Sequence, residues 1–133
     1  MSVKVAVLLS ALLIPASVQA MDAEAGKALF QRYCATCHGG TGAGDGPTAR
    51  IISVAPTALT ELSAANGGVF PFSRVIRRID GRDMIVAHGS PMPIYGAFFE
   101  GDEPVWVPSD DGEIEASPPV IAIARYLEGI QEN

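Results

Sequence analysis

Beyond Lys4 the chain has a single lysine, Lys27, and overall only two cysteines, two histidines and one tryptophan. Each scarcity removes a class of function. A structural zinc site needs about four clustered ligands, and Cys34, Cys37 and His38 have only the distant His88 to complete them. Nine bases against fifteen acids give a formal net charge of -6. Phosphate backbones require clustered Lys and Arg, so nucleic acid is not an expected partner. After residue 20 no apolar run approaches the ~20 residues that cross a bilayer. No β-rich run leads into the cysteine pair, as the βαβ setting of a thioredoxin-like redox pair would require. Repeats and low-complexity tracts are absent.

What is present begins with a targeting pattern. Lys4 supplies a basic start, and Val5 to Ile14 is apolar except for Ser10, too short to span. Val18-Gln19-Ala20 then places small or modest residues before a cut after Ala20. Residues 1–20 therefore read as a signal peptide and 21–133 as one domain, delivered to the periplasm; an uncleaved anchor is the alternative. Removing the leader loses Lys4 and no acid, leaving eight bases against fifteen acids. Export also brings the two cysteines into an oxidising compartment.

The pattern of the remaining chain is all-α with long loops. Asp22 is a cap for a helix from Ala23 to about Cys34, with Ala25, Leu29, Phe30 and Tyr33 on its apolar face. Gly39 to Pro47 is loop chemistry. A short helix is expected over Ala58 to Asn66, stopped by Gly67-Gly68. Ser73 is a cap for another, with Val75, Ile76 and Ile79 on one face and Gly81 as its stop. Residues 89–116 are rich in Gly, Pro and acids and read mostly as loop. Ser117-Pro118 starts a last helix, running to about Ile130, with Val120, Ile123, Ala124, Leu127 and Ile130 inward. Several short helices make a modest core, which a large apolar cofactor would complete.

Cys34-Ala35-Thr36-Cys37-His38 is the C-x-x-C-H pattern of covalent haem attachment. Two thiols three residues apart can each form a thioether to one of the two haem vinyl groups. The next residue, His38, then falls beneath the iron as the proximal ligand. Three functional groups in five residues fix one haem c in one orientation. Met84, His88 and Met92 are the candidates for the opposite side. Met92 lies between Pro91 and Pro93, which stiffen its segment, whereas Met84 precedes Ile85, Val86 and Ala87 and reads as a core filler.

With these residues in view, the chain resembles the bacterial class I, monohaem His/Met-type cytochrome c family along nearly its whole length after residue 20. Gly26 and Phe30 sit eight and four residues before Cys34, where that family keeps a glycine and an aromatic. Ile123-Ala124-Arg125-Tyr126-Leu127 is similar to its closing helix. The resemblance implies a small cytochrome c fold, with crossing N- and C-terminal helices and short helices and long loops wrapped around one haem. It implies Met92 as the distal iron ligand. It also implies a proline carbonyl, here Pro47, behind the second nitrogen of His38.

Two protein ligands leave no open iron position, so the expected function is a periplasmic electron carrier rather than an enzyme, with redox proteins as partners. A haem subunit of a larger oxidoreductase, or a sensor or enzyme with a labile sixth site, are the alternatives. The chain departs from lysine-ringed relatives in its charges. Arg74, Arg77, Arg78 and Arg82 cluster, and residues 83–124 hold no Lys or Arg but carry Glu100, Asp102, Glu103, Asp110, Asp111, Glu113 and Glu115. That acidic stretch reads either as a solvated loop or as a docking element. Trp106 within it is expected to cover the haem, to reach a propionate or to join the core.

Overall fold

The computed structural model describes residues 16–83, 92–99 and 103–132. Helix α1 spans Ala16–Tyr33 and runs straight into the short α2, Ala35–His38. Two 3-10 turns, Leu59–Glu61 and Ala64–Asn66, replace the single short helix expected between 58 and 66. Helix α3 is Phe72–Asp80, and α4 is Pro118–Gly129. Between α3 and α4 lies a further 3-10 turn, Ala97–Phe99, then an antiparallel hairpin of β1, Val105–Ser109, and β2, Gly112–Ala116.

Helices α1 and α4 pack directly against one another. Their contact is set by Gly26: a Cβ there would overlap the backbone carbonyl of Ala122. Without a side chain the two backbones touch, and Phe30 and Tyr126 pack with ring centroids 5.2 Å apart. The inward face of α1 is Gly26, Leu29, Phe30 and Tyr33; Ala25, expected on it, is exposed. Helix α1 also begins before Asp22, because Ala16 to Met21 contains good helix formers and no breaker.

Helix α4 starts as its sequence dictates, with Ser117 extended at φ -68°, ψ 146° and proline at the first helical positions. It buries Ile121 and Ala122 as well as Val120, Ile123, Ala124 and Leu127. The wider apolar stripe has a reason: α4 is covered by α1 on one side and by α3 on another. One cluster joins Phe30, Ile76, Ile79, Ile114, Val120 and Ile123 across these elements.

The hairpin corrects the all-α expectation. Its register pairs Val107 with Ile114 and Ser109 with Gly112, leaving Asp110-Asp111 as a two-residue turn. Ile114 and Ala116 alternate inward onto the core, while Trp106 is 65% exposed. Trp106 therefore neither lines the cleft described below nor enters the core. The turn has a local task. Asp110 accepts a hydrogen bond from the Ser73 backbone N–H at 2.8 Å, capping α3 from outside, and Asp111 lies 3.6 Å from Arg77. Helix α3 begins at Phe72, so Ser73 is the recipient of a cap rather than the cap itself. Its stop is as expected, with Gly81 at φ 88° donating to the Arg77 carbonyl.

Candidate functional site

Helices α1 and α4 deliver the C-x-x-C-H residues to one end of the core. Cys34 continues α1, its N–H bonded to the Phe30 carbonyl at 2.9 Å, and His38 N–H returns to the Cys34 carbonyl at 2.9 Å. This single turn puts Cys34, Cys37 and His38 on one wall of a cleft of about 380 Å³, within the ~300–1,000 Å³ of small-molecule and cofactor pockets. Met92 lines the same cleft, although it is 54 positions from His38 by their numbers. Met84 and His88 lie outside the described residues.

The glycine-dense stretch then folds back beneath the motif. Gly44 N–H donates to the His38 carbonyl at 2.8 Å, Gly46 N–H to Cys37 at 3.1 Å and Thr48 N–H to Thr36 at 3.1 Å. Gly44 has φ +84°, and a Cβ there would stand 2.6 Å from the Pro56 carbonyl, so only glycine allows this approach. The result brings Thr57 to the ring: its backbone carbonyl lies 3.0 Å from His38 Nδ1. That replaces the expected Pro47, which is exposed and sits between two residues bonded to the motif's backbone. A carbonyl can only accept, so Nδ1 carries the proton and Nε2 keeps its lone pair.

Electrostatics agree with that assignment. Burial lowers the His38 pKa, against the opposing effect of the Thr57 carbonyl, which favours a neutral imidazole able to donate a lone pair to a metal. Burial, followed by the neighbouring Cys37, pushes the Cys34 thiol up to about 11. Both cysteines are unpaired with one another, and Thr48 Oγ1 donates to Cys37 Sγ at 3.3 Å.

The remaining walls are mostly apolar, with Arg74, Arg78 and Asp83 also in the lining. Ile52, Val54 and Leu59 come from the loop side, Val75 and Ile79 from α3, and Ile123 and Leu127 from α4. Behind Met92 stands an aromatic group that sequence patterning does not single out. Tyr95 stacks on Phe99 at 5.8 Å and donates its hydroxyl to the Tyr33 carbonyl at 3.0 Å. Tyr95 N–H also bonds to the Ile79 carbonyl at 2.8 Å, which ties the Met92 segment to α3. Two thiols, one imidazole with a free Nε2, one thioether and apolar walls suit haem c. The thiols match its vinyl groups, the nitrogen and sulfur suit iron, and the walls match its ring.

Comparison with protein families finds that the one described as cytochrome c oxidase, cbb3-type, subunit III, matches residues 21–106. Comparison with curated proteins and with solved structures returned no match. The family match includes Cys34, Cys37, His38 and Met92 and ends within β1, before β2 and α4.

Proposed function

We propose that this chain, which belongs to the c-type cytochrome family of cytochrome c oxidase, cbb3-type, subunit III, is an exported carrier of single electrons. In this reading one haem c is joined to Cys34 and Cys37 by thioethers and ligated by His38 and Met92. Residues 1–20 act as a cleaved leader, and the periplasm is the compartment. The family implies electron transfer through c-type haem; the stoichiometry, the ligands and the location are our inference. The observation that carries it is the gathering of Cys34, Cys37, His38 and Met92 around one apolar cleft.

Haem supplies reversible one-electron chemistry between ferrous and ferric iron. The chain's own residues do the rest. Thr57 holds the His38 ring so that Nε2 faces away from the backbone. The Met92 segment is anchored through Tyr95 to α3 and α1. The apolar side chains of the cleft match a haem ring, and a thioether ligand favours the ferrous state more than a second imidazole would. Ligands held in this way would keep their places as the iron changed charge, which would keep electron exchange fast.

The test is periplasmic expression in a host that matures c-type cytochromes. The denatured protein should retain one haem through gel electrophoresis, and the intact mass should begin at Met21. The ferrous protein should not bind carbon monoxide rapidly. A haem-free chain sinks the proposal, and rapid, tight carbon monoxide binding replaces the carrier with a sensor or enzyme. A second reading, a haem subunit of a larger oxidase, is favoured by the family match itself. Native electrophoresis of solubilised source membranes separates the two: a haem-stained band at the mass of a complex supports the subunit, and a free band supports the carrier.

A further inference from the structure

Helix α1 ends at Tyr33, and the helical path is interrupted at Cys34 before α2 begins. In an unbroken helix the Tyr33 carbonyl would accept from the Cys37 N–H, four residues on. Here the Cys37 N–H turns to the Cys34 carbonyl at 3.1 Å. The Tyr33 carbonyl is thus released where the chain enters the C-x-x-C-H turn. It accepts instead from the Tyr95 hydroxyl, at 3.0 Å in a half-buried setting.

Tyr95 serves a second helix end as well. The last carbonyls of an α-helix have no partners within it, and in α3 that of Ile79 accepts the Tyr95 N–H at 2.8 Å. The neighbours of Tyr95 are fitted to the same place. A Cβ on Gly81 would collide with the Ile94 side chain, and a Cβ on Gly96 would collide with the Asp80 carbonyl. The Tyr95 ring stacks on Phe99 and meets Phe98 edge-on. Two hydrogen bonds and ring packing therefore fix one residue, and that residue stands three positions after Met92.

We infer that the Tyr95 hydroxyl is a positioning group for the distal ligand, and that by taking the carbonyl released beside Cys34 it sets how rarely Met92 leaves the iron. This rests on the His38/Met92 reading of the site. The N–H bond to α3 alone would give the Met92 segment one point to turn about. The hydroxyl supplies a second, on the residue that precedes the first cysteine of the motif. A segment held at both points keeps the sixth position closed, as a carrier requires, and one released from α1 makes it labile.

The experiment uses the haem-loaded ferric protein and compares the wild type with Tyr95→Phe and Tyr126→Phe. Tyr95→Phe keeps the ring and removes the hydroxyl. Tyr126→Phe removes a hydroxyl from a ring that packs on Phe30 and lies outside the cleft lining. Imidazole at saturating concentration replaces methionine on ferric haem at the rate at which the methionine leaves. Loss of the long-wavelength charge-transfer band of methionine-ligated ferric haem follows that exchange. Tyr95→Phe should keep the band before imidazole is added, then lose it roughly threefold to tenfold faster than the wild type, the factor that one intramolecular hydrogen bond supplies. Tyr126→Phe should exchange at the wild-type rate. A wild-type rate in Tyr95→Phe overturns the inference whatever its urea midpoint, because a merely structural hydroxyl would lower the midpoint and leave the exchange alone. Equal acceleration in Tyr126→Phe overturns it too. If Tyr95→Phe does not fold, the ferrous wild type decides by NMR: the Tyr95 hydroxyl proton should be protected from solvent exchange, and exchange as fast as in free tyrosine overturns the inference. Absence of the charge-transfer band in the wild type overturns the His38/Met92 reading and this inference together, whereas a band with an unchanged rate in Tyr95→Phe overturns this inference alone.

Discussion

Replacing Gly26 with alanine sets two physical effects against each other. Helix propensity alone favours alanine in the interior of α1 by ~1 kcal/mol. The packing opposes it: the new Cβ would overlap the Ala122 carbonyl and stand 3.1 Å from Ile123 N. That carbonyl belongs to the backbone of α4, which is fixed by buried Val120, Ile123 and Ala124, and it has no rotamer by which to escape. The helices must part, and the Phe30–Tyr126 contact loosens with them. Overpacking costs ~1–3 kcal/mol where side chains can adjust, and a clash with backbone belongs at the upper end. The net expectation is a loss of ~2 kcal/mol, a sizeable part of a stability of ~5–15 kcal/mol. Urea unfolding of the haem-loaded protein, followed by far-ultraviolet circular dichroism, measures it. Gly129→Ala is the control, because an added methyl there meets nothing within 4 Å; it should be neutral or stabilising by up to ~1 kcal/mol. A Gly26→Ala protein as stable as the wild type would refute the account of the helix contact.

Three further expectations test separate parts of the structure. Met92→Ala should open the iron, so that the ferrous protein binds carbon monoxide and the potential falls; an unchanged absorption spectrum would remove Met92 from the ligand set. Asp111 is held below its ordinary carboxylate pKa by hydrogen bonds from Ser109 and Ser73 and, to a lesser degree, by Arg77. The unfolded chain thus takes up that proton first as pH falls. The stabilisation is complete above the ordinary value of 3.8 and is lost as pH falls below it through the folded value. Asp111→Asn should flatten that part of the acid limb in urea midpoints measured against pH, and an identical acid limb would show that the hairpin turn contributes nothing there. Trp106→Ala should change stability by no more than ~0.5 kcal/mol, as expected for an exposed side chain; a loss several times larger in the same urea assay would mean that the ring is packed.

Parts of the structure that rest on periodicity or on chemically specific side chains were legible in the sequence. The inward faces of α3 and α4 and the C-x-x-C-H turn follow from residue type and spacing, and the Gly26 approach from the family resemblance. The hairpin was obscured because its acids and turn residues resemble a solvated loop. The available signal was the alternation of Val105 and Val107, then Ile114 and Ala116, around Asp110-Asp111-Gly112. Trp106 was misjudged because aromatic residues are usually packed, whereas it lies on the outward face of a two-stranded ribbon with one covered side. The start of α3 was displaced because its capping carboxylate comes from Asp110, 37 residues away.

The partner of His38 illustrates a deeper limit. Any residue at position 57 supplies the same backbone carbonyl, so no side chain there announces the role. What the sequence specifies instead is the path. Gly44 accepts a conformation and a proximity to Pro56 that a Cβ would forbid, and Leu59 N–H closes onto the Gly42 carbonyl at 2.6 Å. The ring-orienting carbonyl is therefore encoded by glycines thirteen to fifteen residues before it by number, not by the residue that provides it. The same reasoning separates the proposed ligands from the groups that hold them. In the proposed reading His38 and Met92 contribute particular side-chain atoms and so are visible by type, whereas the groups that hold them, Thr57, Tyr33 and Ile79, act through backbone carbonyls. Precision at such a site resides in main-chain geometry, and the sequence records it only indirectly, through the positions at which a side chain would not fit.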